Sequence, residues 1–225
     1  REPRRRERRR MTLGRPILAI VAVEAEAKAL HGIAGTEIVV AGIGRTNAAA
    51  AVTQAIVERG PFSAAISIGI AGALPDSGLE LGDIAVASES VYVEEGLETP
   101  EGFGDMRTLG FPLGDFEGNR VPADDSLLAT CAALGRGGPI ATVATCSGTE
   151  RRAREVGRRT GASAEAMDGA AVLHAARRLG VAAIEIRAIS NTTGDRPTQR
   201  WEIAKALGAL GGAWPRLVEA IRSSR

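Results

Sequence analysis

Short apolar runs alternate along this chain with longer stretches in which apolar residues recur every three or four positions. The runs "PILAIVAV", "EIVVAGIG", "AAISIGIAG", "GDIAVASE", "PIATVAT", "ASAEAMD" and "AAIEIRAIS" have the length and β-branched content of strands. Several are apolar at consecutive positions, so both faces of their sheet must be covered. Between them, the spacing predicts helices over 46–59, 124–134, 149–158, 169–179 and 198–222, with Thr46 and Asn47 as caps of the first. A further helix follows the strand end in "AVEAEAKAL". Residues 91–122, rich in Gly, Pro, Glu and Phe, break the rhythm and read as a long irregular excursion, a type of segment that is usually functional. The pattern is that of one α/β domain.

Length and composition agree. A chain of 225 residues fits a single large α/β core, and 44% apolar with only 3% aromatic residues means that Ala, Val, Ile and Leu fill it. Charge is unevenly placed: "REPRRRERRR" holds seven Arg against two Glu, a local +5, so the remaining residues carry −4 if the whole is +1. Residues 1–14 are therefore expected to be a disordered basic tail or upstream extension, with Met11 a candidate start, and residues 15–225 the folded domain. The Arg run has no interleaved aromatics, which argues against nucleic acid as a partner. No apolar stretch approaches a membrane span or a secretory core, so a soluble, cytoplasmic protein is expected. Cys131 and Cys146, with His31 and His174, do not make a ligand set, and neither a disulfide nor a metal is expected. His174, in an Ala-rich helix, reads as a packed histidine.

Candidate chemistry lies where strands end, because ligands of open α/β sheets sit outside the carboxyl ends of strands. That rule selects Glu24 and Glu26, Gly42 to Asn47, Gly69 to Ala73, Thr145 to Thr149, Met167 with Asp168, and Asn191 to Asp195. "AGIGRTN" is a poor dinucleotide fingerprint, since Asn47 stands at the third glycine position. Arg45 beside it reads as an exposed first-turn side chain, and no phosphate loop exists because G-K-[ST] is absent. Glu24 and Glu26 are two apart and point in different directions, so only one can face a site.

Taken in order, "AVEAEAKAL", "AGIGRTNAAAA", "SIGIAGAL", "LELGDIAVASESVYVEEGLETPEGF", "PADDSLL", "ATCSGT", "AMDGAAVLHAA" and "EIRAISNTTGD" resemble the nucleoside phosphorylase and nucleosidase superfamily. Within it they are similar to the 5′-methylthioadenosine/S-adenosylhomocysteine nucleosidases and most of all to the futalosine hydrolases of menaquinone biosynthesis. The resemblance implies a three-layer α/β/α fold around a mixed, largely parallel sheet. It also implies a homodimer or larger homo-oligomer and cofactor-independent hydrolysis of the N-glycosidic bond of a small nucleoside. It assigns Glu26 to water activation, Met167 and Asp168 to the ribose, and Asn191 to the purine. Thr145 and Cys146, with Ile70, Ala71 and Gly72, are to line the substrate, and Trp201 is to pack near the base. Asp168 is one methylene shorter than the usual Glu, so its ribose contact is expected to be longer, water-bridged or absent.

Two details narrow the reaction that the resemblance implies. Phosphorylases of the superfamily carry an Arg two residues before the glycine of "SIGIAG" to clamp phosphate; here Ser67 stands there, which favours water as the acceptor. An amide at 191 can donate its NH₂ to a 6-oxo group and accept from a protonated N7, which favours hypoxanthine as the leaving base. Futalosine also bears a distal carboxylate, for which Arg107 and Arg120 in the excursion are candidates. The alternatives are a nucleosidase for adenine-bearing substrates, since an amide can flip, and a purine-nucleoside binding module without catalysis.

Overall fold

The computed structural model describes residues 14–224, so the expected basic tail lies, but for Gly14, outside the described residues. Ten strands and seven helices follow one another as β1 Ile17–Val21, α1 Glu24–Leu30, β2 Thr36–Val40, α2 Arg45–Arg59, β3 Ala64–Ala73 and β4 Ile84–Tyr92. Then come β5 Gly96–Thr99, β6 Gly102–Asp105, the one-turn α3 Met106–Leu109, β7 Arg120–Pro122, α4 Asp125–Cys131 and β8 Arg136–Thr142. The last are α5 Glu150–Thr160, β9 Ala164–Ala166, α6 Gly169–Arg178, β10 Ala183–Thr192 and α7 Ile203–Ser223.

The main sheet runs β10-β4-β8-β9-β3-β1-β2, and β10 pairs in addition with β3. That extra pairing closes β3, β10, β4, β8 and β9 into a ring, from which β1 and β2 extend as an open wing. Pairings β1–β2, β1–β3, β3–β10, β4–β8 and β8–β9 are parallel, while β4–β10, β3–β9 and β4–β7 are antiparallel. The sheet is thus mixed and largely parallel, as expected.

Alternation along the strands sets the layers. Ile17, Ala19 and Val21 of β1, Ile66 and Ile68 of β3 and Ile184 and Ile186 of β10 face one way, against Leu30 of α1, Leu127 of α4 and Leu210, Trp214 and Leu217 of α7. Leu18 and Ile20 face the other way, against Ala48 and Val52 of α2 and Ala170, Val172 and Leu173 of α6. On that second side β3 presents only Ala65, Ser67 and Gly69, and β10 presents Glu185 and Arg187, so an apolar layer gives way to a polar one.

Four expectations need correction. The excursion is ordered over much of its length: β4 continues to Tyr92, β5 and β6 form a hairpin, and β7 pairs with β4. The expected helix 198–222 begins only at Ile203, because residues 196–198 form a 3₁₀ turn around Pro197 and Trp201 bridges to Asn191 in antiparallel fashion. Helix α2 is capped by Gly44, not by Thr46 or Asn47; the Asn47 amide instead donates to Ile43 O at 2.8 Å. In place of 124–134, α4 ends at Cys131 and the chain tightens into a 3₁₀ turn over Ala132–Leu134. Among the described residues no helix is long and apolar enough to cross a membrane.

Trp214 anchors α7: it is fully buried and its indole N–H donates to His31 O at 3.2 Å. Trp214→Ala should lower unfolding free energy by about 3–5 kcal/mol in urea titrations; a loss below about 1 kcal/mol would mean that α7 is not docked this way.

Candidate active site

The site grows from the ends of β3 and β10. Their parallel register pairs Arg187 with Gly69, Ala188 with Ile70, Ile189 with Ala71 and, after a bulge at Ser190, Asn191 with Gly72. Gly72 pairs on its other side with Glu165 of β9. Three strand ends therefore meet at one glycine.

Glu26 occupies the third position of α1, where an acid can turn back to the free N–H groups of the helix start. Its Oε2 accepts from Ala22 N at 2.8 Å and Val23 N at 3.2 Å, and its Oε1 accepts from Ile70 N on β3 at 2.9 Å. Glu26 is buried and Glu24 is exposed, so one acid of the pair faces inward, as its spacing required. A carboxylate offers roughly four lone-pair positions. Three are filled, and one remains.

Arg187 is the group that sequence reading missed. Its guanidinium is buried: Nε donates to Glu185 Oε1 at 2.8 Å, Nη2 donates to Ser67 Oγ at 2.9 Å and lies 3.6 Å from Asp168 Oδ2. A Cβ on Gly69 would overlap Glu26 Oε1 and sit 2.6 Å from Arg187 Nη1, so the Glu26 carboxylate and the guanidinium are neighbours across that glycine. Asp168 Oδ1 accepts from Gly44 N at 2.6 Å, which ties the start of α2 to the start of α6. Glu185, fully buried, takes the hydroxyl of Ser90 on its second oxygen. Its carboxyl is pushed up by burial against the pull of Arg187. The signal that could have found this group is the spacing in "IEIRAIS": two charges two apart in a strand apolar on both faces must share a face and must find partners there.

Asn191 is the last residue but one of β10, with 9% of its surface exposed. Its Oδ1 accepts from Ser190 Oγ at 2.9 Å and its Nδ2 donates to Thr192 O at 3.0 Å, leaving one N–H and one carbonyl lone pair unused. The amide lies against Gly72, where a Cβ would come within 3.0 Å of Nδ2 and 2.8 Å of Thr193 Cγ2. Trp201 covers this end at 43% exposure, with the Arg196 guanidinium 4.6 Å above its ring.

Thr145 and Cys146 are exposed on a turn that carboxylates hold at both ends. Glu94 accepts from Ala144 N at 2.9 Å, and buried Glu165 accepts from Ser147 N at 2.7 Å and Ser147 Oγ at 2.6 Å. Partial desolvation by its neighbours, together with the charges of Glu165 and Asp168, raises the Cys146 thiol. Met167 packs on the Val143–Val156 side of the core. Arg45 differs from expectation: it is half-buried and paired with Glu95, with Glu94 at 3.8 Å, because the start of α2 abuts the end of β4. His174 is packed as expected, edge-on to Phe116 with ring centroids 4.9 Å apart. Arg107 and Arg120 instead line a separate cavity of about 440 Å³ beneath the hairpin, Arg107 paired with Glu117 and Arg120 with Glu89.

The structure thus brings Glu26, Ile70 and Asp168 around Arg187, and sets Ala71, Gly72, Asn191 and Trp201 one step along the same strands. Chemically this offers a buried carboxylate with a spare lone pair beside an amide that keeps one donor and one acceptor. Among the described residues no group of three or more His, Cys, Asp and Glu is arranged to hold a metal ion.

Comparison with known proteins places these features. The sequence description of the phosphorylase superfamily matches residues 19–221. A futalosine hydrolase of Thermus thermophilus is 39% identical over 199 residues, covering 84% of this chain and 85% of the relative. A futalosine hydrolase of Streptomyces coelicolor is 34% identical over 197 residues, covering 84% and 81%. In structure the chain is similar to the native futalosine hydrolase of Helicobacter pylori strain 26695, with a TM-score of 0.74 at 18% identity over 91% of this chain and 97% of that one, a likeness of fold.

Gly69→Ala tests the contact between Glu26 and Arg187. It should destabilise the fold by about 1–3 kcal/mol in urea unfolding through overpacking. Gly32→Ala, where an added Cβ meets nothing within 4 Å, should stay within about 0.5 kcal/mol of the parent.

Proposed function

Because the chain belongs to the phosphorylase superfamily, we propose that it hydrolyses the N-glycosidic bond of futalosine, releasing hypoxanthine and dehypoxanthinyl futalosine in menaquinone biosynthesis. The names and identities of its curated relatives support that substrate. The observation that carries the chemistry is the buried carboxylate of Glu26, fixed by Ile70 N on the same strand whose Gly72 lies against Asn191.

In this reading water sits at the unfilled lone pair of Glu26, beneath the anomeric carbon. As the C1′–N9 bond breaks, its electron pair goes to the purine and the sugar becomes cationic, as in other glycoside hydrolyses. The water oxygen then bonds to C1′ and its proton passes to Glu26, a general-base step. Asp168 and Glu26 place negative charge near the ribosyl cation, while Arg187, 3.6 Å from Asp168, offsets the repulsion between the two carboxylates. At the other end, N7 takes a proton from solvent as the C1′–N9 bond breaks, so that the base departs as neutral hypoxanthine; the spare N–H of Asn191 donates to O6 and its carbonyl accepts from N7–H. Glu26 returns its proton to solvent after the products leave. Thr145, Cys146, Ile70, Ala71, Gly72, Met167 and Trp201 form the remaining walls. Ser67 supports water over phosphate, because its hydroxyl is already engaged by Arg187. We take the protein to be cytoplasmic and at least dimeric, free of metal and organic cofactor.

Three measurements test this reading. Purified protein should release hypoxanthine from futalosine far faster than adenine from 5′-methylthioadenosine, and phosphate should not accelerate it. Glu26→Gln should lower kcat by about 10²–10⁴ with little change in KM; undiminished turnover would overturn the assignment. Asn191→Asp should cost about 10² in kcat on futalosine and move the base preference toward adenine; an unchanged preference would remove Asn191 from base recognition.

A further inference from the structure

The proposed reaction uses Glu26, Asp168 and Asn191, yet the most deeply buried acid near them has no part in it. Glu185 is 0% exposed, stands two residues before Arg187 on the same face of β10, and receives Nε of that arginine at 2.8 Å. Its other oxygen takes the hydroxyl of Ser90 from β4. Room for it exists only because residue 169, at the start of α6, is glycine: a Cβ there would land on the carboxyl group itself. A buried carboxylate is costly unless paired, and so is a buried guanidinium. Two such groups are kept together where smaller apolar side chains would pack more cheaply.

We propose that Glu185 is a positioning residue for the hydrolytic reaction: it holds Arg187 by Nε, so that both Nη groups are turned to Ser67, Asp168 and Glu26, and it carries the arginine's counter-charge. Orientation follows from the planar guanidinium, in which fixing Nε fixes the directions of the other N–H bonds. The charge matters separately. Four groups share this interior: Arg187 and Glu185 from β10, Asp168 before α6 and Glu26 from α1, with the hydroxyls of Ser67 and Ser90 completing the shell. With Glu185 charged, Arg187 is balanced from behind, and Glu26 and Asp168 keep their negative charge for the ribosyl cation and the proton of the attacking water. Where that charge is lost but an acceptor for Nε is kept, as in a glutamine, the counter-charge of the guanidinium comes wholly from those two carboxylates, which weakens Glu26 as a base; where the acceptor is lost too, the guanidinium is released.

Glu185→Gln keeps the shape and an acceptor for Nε but removes the charge. On the reading that the protein hydrolyses futalosine, this variant should fold with a melting temperature within a few degrees of the parent. It should keep KM within about threefold and lose about tenfold or more in kcat. Gly169→Ala should melt lower than the parent, and Gly169→Ala/Glu185→Ala should recover part of that loss because the overlap is gone while Arg187 has lost one partner. Its kcat should stay as low as that of Glu185→Ala. A merely structural Glu185 predicts the opposite: recovery of kcat together with stability. Full kcat in Glu185→Gln or in the double variant would overturn the proposal. Should the parent cleave no nucleoside, the functional reading fails on its own. The positioning role is then judged by a crystal structure of Glu185→Ala, in which the guanidinium should leave Asp168 and Glu26; an unmoved Arg187 overturns it.

Discussion

A single buried cation organises the catalytic end of this molecule. Arg187 is almost wholly buried, between the apolar Ile186 and Ala188 of its strand, so its charge must be met by groups of the protein. The carboxylates that pair with it come from its own strand and from the start of α6, and a third, from the start of α1, lies across Gly69. Each of those elements must therefore end where it does. The pairing of β3 with β10, which closes the sheet into a ring, puts Ser67 and Gly69 beside the guanidinium and leaves β1 and β2 as the open wing. The polar patch is inseparable from the topology, because moving any one of these elements would strand a buried charge.

Glycine makes the crowding possible. Gly69, Gly72 and Gly169 need no unusual backbone conformation; each is required because a side chain from another element occupies the place of its Cβ. Glu26 and Arg187 meet over Gly69, Asn191 lies over Gly72, and Glu185 fills the space beside Gly169. In "SIGIAG" the glycines thus mark where site side chains cross the sheet, a different use from the phosphate-cradling turns that glycine-rich motifs bring to mind. Gly42 and Gly44 do have positive φ, and they turn the chain so that Gly44 N–H reaches Asp168.

Much of this was legible before any coordinates. The strand runs and helix spacings were written in residues whose neighbours along the chain already decide them, which is why β1, β3, β10, α2 and α6 stood close to their expected places. Glu26 and Asn191 were visible as polar residues at strand ends. What stayed hidden depends on contacts between distant segments. Nothing local says that Trp201 bridges Asn191 and so delays α7, or that Asn119 donates to Tyr92 O and Glu95 O and so pins the excursion from within. Arg187 was hidden differently. Its spacing from Glu185 announced a shared face, yet its meaning required knowing that Asp168 and Glu26 would arrive on that face.

The shorter side chain at 168 gains its explanation from the same cation. Asp168 spends Oδ1 on Gly44 N at 2.6 Å and turns Oδ2 to Arg187 at 3.6 Å, so the carboxylate is held near the helix starts that it joins. An aspartate at the start of α6 reaches both partners at once. On the proposed reading, the charge it shares with Arg187 is also what faces the ribosyl cation, and Met167 and the β3 backbone supply the walls beside it. With two acids drawn onto Arg187 from α6 and β10, Glu26 is left anchored chiefly by three backbone N–H groups. Those donors fix its position while leaving one lone pair to act.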